Sequence, residues 1–569
     1  MNYSERFRNA AISLRDTLLD GRSFEQLQTE AAKRITHTEA PVFAAFISVC
    51  NKKERAKVFR CSADNISDAW DGVCEAAEKF VSSHEYEPAW IKADIIRNSE
   101  KALFTDVVST IAKGYNEFFR RGISFDDRLD TALIEAEING SRVISYKKHM
   151  IELNVVNRYL SKNGIRTISG FPEYVVLFDC FSAFYGDEGT AMPLYSDGPD
   201  IGRRVINGID KDITKEIITT SSAFLSMMIG LDGKFDYGFY PVYHKEISGY
   251  NIMRHASSIW SLICAYRLTG DSFIMQQAEK AIAYMVDNTY NKYNLPEDRE
   301  NTVYLAETIK NEVKAGANGV AIIMLTEYMD VTGDRRLEKI CKELGNGILE
   351  LLDERTGELF HVLHFPSLAP KDKFRTVFYD GECVFALCRL YGLTRERRWL
   401  DAAEKMAGRF IREDYTQYTD HWIAYAMNEI TKYAPKEKYF EFGLKNAQVN
   451  LRKIYKKKTT YHTLLELLAV TFELYDRIIK KGIKVRYLEE FDTSFFIKTI
   501  FRRAEHMLNG YGYPEYTMYF KYPERALGAF FVRHDGYRIR IDDIQHFCGA
   551  YYSFYRNYEK LCALRSNDN

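Results

Sequence analysis

One phrase recurs along this chain at nearly constant spacing, and it limits the possible folds more than any other feature. It reads Tyr266-Arg267-Leu268-Thr269-Gly270-Asp271, then Tyr328-Met329-Asp330-Val331-Thr332-Gly333-Asp334, then Tyr391-Gly392-Leu393-Thr394-Arg395-Glu396. The three tyrosines lie about 62 and 63 residues apart, and self-similarity at a fixed period signals a repeat architecture. Each copy ends an apolar helical pattern and opens a more amphipathic one. Two helices per period, joined by a tight polar turn, predict a ring or solenoid of helical hairpins.

From about residue 211 the pattern is helical to the end. Relatively polar segments near 213–229, 271–289, 334–352, 396–412, 436–456 and 494–508 alternate with more apolar ones near 251–267, 317–330, 381–393, 420–432, 460–476 and 541–557. Helices apolar all round are buried, and helices with one polar face lie outside. Six such pairs predict two concentric layers, an (α/α)6 toroid over 211–569. Upstream the periodicity changes. Strand-like runs at 41–50, 55–61 and 86–96, with a helix capped by Asn65, predict a smaller α/β domain over 1–145. Residues 146–210 are read as a connecting region. The fold class is therefore α+β overall, a C-terminal toroid preceded by a small α/β domain.

The net charge of −1 provides no overall field for nucleic acid or an anionic membrane. No apolar run approaches the ~20 residues that span a bilayer. The N-terminus lacks the apolar segment of a signal peptide, and the 10 cysteines are scattered without a CxxC pair. These features predict a cytoplasmic protein with free thiols. Dinucleotide, P-loop and GxSxG signatures are absent, as is HExxH, so neither a cofactor nor a metal is expected. Most of the 39 Tyr and 36 Phe are expected in the core.

Loop lengths orient the ring. Links from an inner helix to the next outer one are short. Several links from outer to inner are long, near 230–250, 290–316, 353–380 and 509–540. Long loops in compact domains are often functional, and these fall at the N-terminal ends of the inner helices, which carry free N–H groups. Those starts hold Arg254 and His255, Asn318, Asp380 and Glu382, Asp420, His421 and Trp422, and finally Arg540, Asp542 and His546. The ring predicts that they converge on one cleft. Asp380 and Asp420 also have a plain reading as helix N-caps, and His255 and His421 as satisfied polar residues between the layers. Asp542 and His546, four apart, share a helix face where a carboxylate can orient an imidazole for proton transfer. Tyr237, Tyr240 and Tyr243 in the first long loop are candidates to stack on a sugar ring.

Over roughly 211–560 the chain resembles the six-hairpin glycosidase superfamily, with its related N-acylglucosamine 2-epimerase and uronyl-epimerase toroids. The residues that carry the resemblance are the Tyr-x-x-Thr-Gly-Asp repeat, Arg254-His255, Tyr379-Asp380-Gly381-Glu382 and Asp420-His421-Trp422. It implies carbohydrate chemistry on an oligo- or polysaccharide. Glycoside hydrolysis, the leading expectation, needs an acid and a carboxylate, with Asp380 or Glu382 and Asp420 as candidates. Epimerisation instead needs two proton-transfer groups, for which His255, His421, His546 or a first-loop tyrosine are candidates. Arg254 and Arg540 would hold a uronate or phosphate in either case. Helical-hairpin rings also serve as non-catalytic scaffolds, and the N-terminal domain is then the candidate surface for a protein partner.

Overall fold

The computed structural model describes residues 2–113, 118–145, 148, 150–293 and 302–566. The centre of the long link read at 290–316, residues 294–301, lies outside the described residues. So do short pieces of the spans read as the α/β domain and the connecting region (114–117, 146–147 and 149).

Apolar β-branched and aromatic runs near the N-terminus form an antiparallel sheet. Its order is Lys57–Ala63, Phe43–Cys50, Trp90–Leu103, Tyr174–Tyr185, Gly122–Ser124, and Ala191–Leu194 pairs with the far end of Tyr174–Tyr185. The stretch at 174–185, read from sequence within a connecting region, is thus a long strand in the middle of this sheet. Phe43–Cys50 is buried along its whole length. Helices Tyr3–Leu19 and Ile66–Ser83 pack against the sheet, and Met518 and Tyr519 from the last long link join the same core.

Helices Phe104–Lys113 and Leu153–Lys162 share a small separate core, and from Lys211 onward the chain forms a ring of six hairpins. The inner helices are Ile252–Thr269, Ala315–Thr332, Phe378–Thr394, His421–Tyr433, Thr463–Lys481 and Ile541–Ser566. Each packs on the next, and the sixth packs on the first, so the ring closes. The outer layer is Lys211–Met227, Ser272–Thr289, Glu338–Glu350, Arg397–Arg412, Glu437–Gln448 with the short Leu451–Lys456, and Thr493–Met507. The second and third inner helices are buried over most of their length, as helices apolar all round must be. Glycines at 316, 319 and 381 let their N-terminal turns approach closely. A Cβ on Gly381 would sit 2.8 Å from the backbone of Trp422 and Ile423.

The repeated phrase has a local cause. Thr269 accepts the N–H of Asp271 (3.3 Å), Gly270 takes the left-handed conformation at φ 67°, and Asp271 caps the next helix through the N–H of Phe273 (2.9 Å). Gly333 repeats this at φ 75°, and in the third copy Arg395 adopts the same region at φ 60°. Halfway down the axis Trp260, Trp422, Phe385 and Tyr425 close the ring, with centroids 5.3–6.1 Å apart.

The long links are partly ordered into sheets around the mouth. Gly238–Tyr240 pairs with Lys245–Glu246 on one side and with Ile539–Arg540 on the other, tying the first link to the last. The links near 290–316 and 353–380 build a second sheet of five strands. Among the described residues no helix is long and apolar enough to cross a membrane.

Candidate functional site

The N-terminal ends of the inner helices surround a cavity of about 630 Å³. Of the residues singled out from sequence, Arg254, Glu382, His421, Trp422, Arg540, Asp542 and His546 line it. The others do not, for reasons visible in their bonds.

His255 is fully buried in the wall. Its Nδ1 lies 2.6 Å from the Tyr250 hydroxyl and its Nε2 2.8 Å from the Ala281 carbonyl, and burial lowers its pKa to about 4. Asn318 is a structural clamp: its amide donates to the carbonyls of Val303 (2.9 Å) and Leu344 (3.2 Å) and accepts from the N–H of Leu305 (2.9 Å). Asp380 is buried 3.3 Å from His361 Nε2. Asp420 is the N-cap of the fourth inner helix, accepting the Trp422 N–H at 3.0 Å. Tyr237 bonds to Arg254 and supports it from behind. Tyr240 and Tyr243 lie under Arg142, and the Tyr243 hydroxyl donates to the Ser141 carbonyl (3.1 Å). The two tyrosines therefore face the N-terminal part of the chain.

Two arrays make up the cavity floor. The first is basic and acidic together. Arg254 (3.1 Å) and Arg540 (3.0 Å) both hold Asp542, while Arg538 (3.2 Å) and Arg540 (2.9 Å) hold Asp543. Burial works to raise Asp542, but Arg254, His546 and Arg540 outweigh it and keep the carboxylate ionised. The second array is made of imidazoles around one carboxylate. Glu466, fully buried, accepts from His546 Nδ1 at 2.7 Å and lies 3.9 Å from His421 Nε2. The His421 and His546 ring centres are 5.0 Å apart, and His462 stacks parallel on His546 at 4.9 Å. Burial disfavours charge on His546, yet Glu466, Asp542 and Asp543 outweigh it and raise its pKa. The Asp542–His546 pair read from the i, i+4 spacing is present but loose, at 3.7 Å.

Glu382 stands apart. Burial first, then the charges of Asp420, Asp542 and Asp380, push its pKa far up, and among the described residues its buried Oε2 has no hydrogen-bond partner. Glu382 is thus pushed towards its neutral form while Asp542 is held towards its charged one. Two carboxyl groups with their pKa values forced apart are the electrostatic signature of acid–base work. As to metals, ligand atoms of His421, Glu466 and His546 lie within 4.8 Å of one another. A cation there would have to displace the His546–Glu466 hydrogen bond.

Glu466, buried behind His421 and His546, was missed from sequence. It sits in the first turn of the fifth inner helix, and a lone acid within Leu464-Leu465-Glu466-Leu467-Leu468 was a usable signal. Phe378 and Thr460 in the wall were missed as well.

No family model and no curated protein sequence matches this chain. Among solved structures it is similar to a cellobiose 2-epimerase from Bacillus thermoamylovorans B4167 (12% identity, 61% of this chain and 100% of that one, TM-score 0.48). It is likewise similar to a D-mannose isomerase (12%, 61% and 98%, TM-score 0.47) and to an unsaturated glucuronyl hydrolase specific for heparin (12%, 62% and 99%, TM-score 0.42).

Proposed function

We propose that the cavity is the active site of a carbohydrate-active enzyme that epimerises or isomerises a sugar by proton transfer. The observation that carries this reading is the pair His421 and His546. They come from different inner helices, both line the cavity, and both lie beside the same buried Glu466. Removing a proton from a carbon next to a sugar carbonyl, and returning one, takes a base and an acid within reach of the same atom. His546, held charged by Glu466, is the acid, and His421 is the base. Glu382, as a neutral carboxylic acid, donates a hydrogen bond to the oxygen on which negative charge develops. Trp422 offers an apolar face for the ring.

The hydrolase expectation loses two of its three candidates, since Asp380 and Asp420 do not reach the cavity. It survives in one form: Glu382 as the protonated acid and Asp542 as the ionised partner. One experiment separates the two. The protein is incubated with neutral aldoses and disaccharides in heavy water, and products are read by mass spectrometry. Deuterium gained at a sugar carbon without chain cleavage, reduced about 10²–10⁴-fold by His421→Asn or His546→Asn, is the expected result. Cleavage that disappears in Glu382→Gln but persists in His421→Asn would establish the hydrolase instead.

A further inference from the structure

The cations inside the cavity differ from those on its rim. Arg254, Arg538 and Arg540 are each bound to aspartates. On the rim, Arg452, Lys453, Lys456, Lys457 and Lys458 place five exposed cations within seven residues, in a run that contains no acid. Among the described residues none of the five forms an ion pair. The far mouth of the ring shows the usual alternative. There Arg267 pairs with Glu327 and Asp330, Lys432 with Glu429, and Arg556 with Glu473. In a chain whose net charge is −1, an unpaired run of five is a local concentration of charge.

The position of this run is fixed by buried groups. The guanidinium of Arg503, fully buried, donates to the carbonyls of Lys457 (2.9 Å), Thr459 (3.0 Å) and Tyr461 (3.3 Å). His506 Nε2 lies 3.0 Å from the Lys458 carbonyl. The backbone is thereby pinned to the toroid wall while the lysine side chains extend into solvent. The next residues, Thr460 and Tyr461, line the cavity, and the Tyr461 ring is half exposed. Lys458 and His534 share a small side recess, and His534 also lines the cavity. Burial first, then Arg538 and Arg533, with Lys457 a smaller contributor, lower His534 to about 4.

We propose that residues 452–458 form an exosite for the acidic groups of an anionic saccharide whose end ring occupies the cavity. The cavity cations are already paired with aspartates and offer the end ring no free charge, while the rim cations read the charge on the units that follow. Tyr461, exposed between the two, provides a stacking face along the way. The proposal deepens the reading of the cavity as a sugar site.

The test measures binding by calorimetry, using an α-1,4-linked galacturonate hexamer, its fully methyl-esterified form, a heparin hexasaccharide and a six-nucleotide single-stranded DNA. The protein is compared with a variant carrying Arg452→Gln, Lys453→Gln, Lys456→Gln, Lys457→Gln and Lys458→Gln. The control is Lys481→Gln with Lys484→Gln, exposed lysines at and just beyond the C-terminal end of the fifth inner helix. At low salt an acidic hexasaccharide is expected to bind the unaltered protein and the control alike. It should bind the five-fold variant about tenfold or more weakly, and the difference should shrink at high salt. Whichever acidic hexasaccharide binds more tightly identifies carboxylate or sulfate as the group read. Equal binding of the acid and its methyl ester, or no loss in the five-fold variant, overturns the exosite. So does DNA that binds as tightly and depends on the same five residues. Binding of the ester with the acid no tighter sinks only the exosite, whereas binding of no saccharide at all sinks the sugar reading itself.

Discussion

At the scale of single residues, a helix turns by about 100° per position, and that rotation decides which candidates reach the cavity. Arg254 faces it and His255, one step on, is turned into the wall. His421 faces it and Asp420 caps the helix. Sequence places all four at helix starts but does not resolve the rotation, so the polar starts were legible and their directions were not. The wall position of His255 has a measurable consequence. Its Nε2–H donates to the Ala281 carbonyl and its Nδ1 accepts from the Tyr250 hydroxyl, which is a complete set of bonds for a neutral ring. With a folded pKa of about 4 against about 6.5 when unfolded, the unfolded chain takes up the proton first as pH falls. The stability contributed by neutral His255 is therefore full above pH ~6.5 and is lost between ~6.5 and ~4, by about 2 kcal/mol at pH 5. Urea unfolding at a series of pH values should show His255→Gln to be less stable at pH 7.5 but with a flatter slope between pH 7 and 5. An unchanged slope would show that His255 is not the group being titrated.

At the scale of elements, the hairpins were legible because their signals are local. Periodicity marks each helix, and Thr-Gly-Asp is an αL cap followed by an N-cap. The sheets at the mouth were not, because strands of two to six residues carry too little periodicity to read, and the one that ties the first link to the last pairs Phe239 with Ile539, 300 residues away. Glycines test the two physical roles separately. Gly333 sits at φ 75° with open space for 4 Å around the point a Cβ would occupy, so Gly333→Ala should cost about 1 kcal/mol through backbone strain alone. Gly381 has an ordinary helical backbone but touches the fourth inner helix, so Gly381→Ala must push two inner helices apart, costing about 1–3 kcal/mol. Because Glu382 is its neighbour, that variant should also lower turnover, which Gly333→Ala should leave intact. Equal activities in the two variants would detach the helix contact from the site.

At the scale of the whole molecule, the sheet-bearing N-terminal part and the toroid share structure across their junction. Met518 and Tyr519, carried by the last toroid link, complete the core under the sheet, and Tyr519 bonds to Ser48 at 2.7 Å. Glu515, fully buried on the same link, binds Arg204 through two side-chain bonds of 2.8 and 2.9 Å and accepts its backbone N–H at 3.1 Å. The link that closes the sixth hairpin therefore also anchors the N-terminal part, and neither unit can lose its fold without exposing apolar surface of the other. Tryptophans on both sides, Trp70 and Trp90 against Trp260, Trp399 and Trp422, report the two parts together, while the far-ultraviolet signal is dominated by toroid helices. Denaturant unfolding should give one transition, coincident by fluorescence and circular dichroism. Glu515→Ala removes the buried partner of Arg204 and leaves it only the exposed Glu188 at 3.8 Å, which should cost up to about 3 kcal/mol. If the two parts are coupled as the shared core requires, both signals move to lower denaturant by the same amount. A variant in which the fluorescence transition splits while the helical signal stays in place would mean that the toroid stands without the N-terminal part.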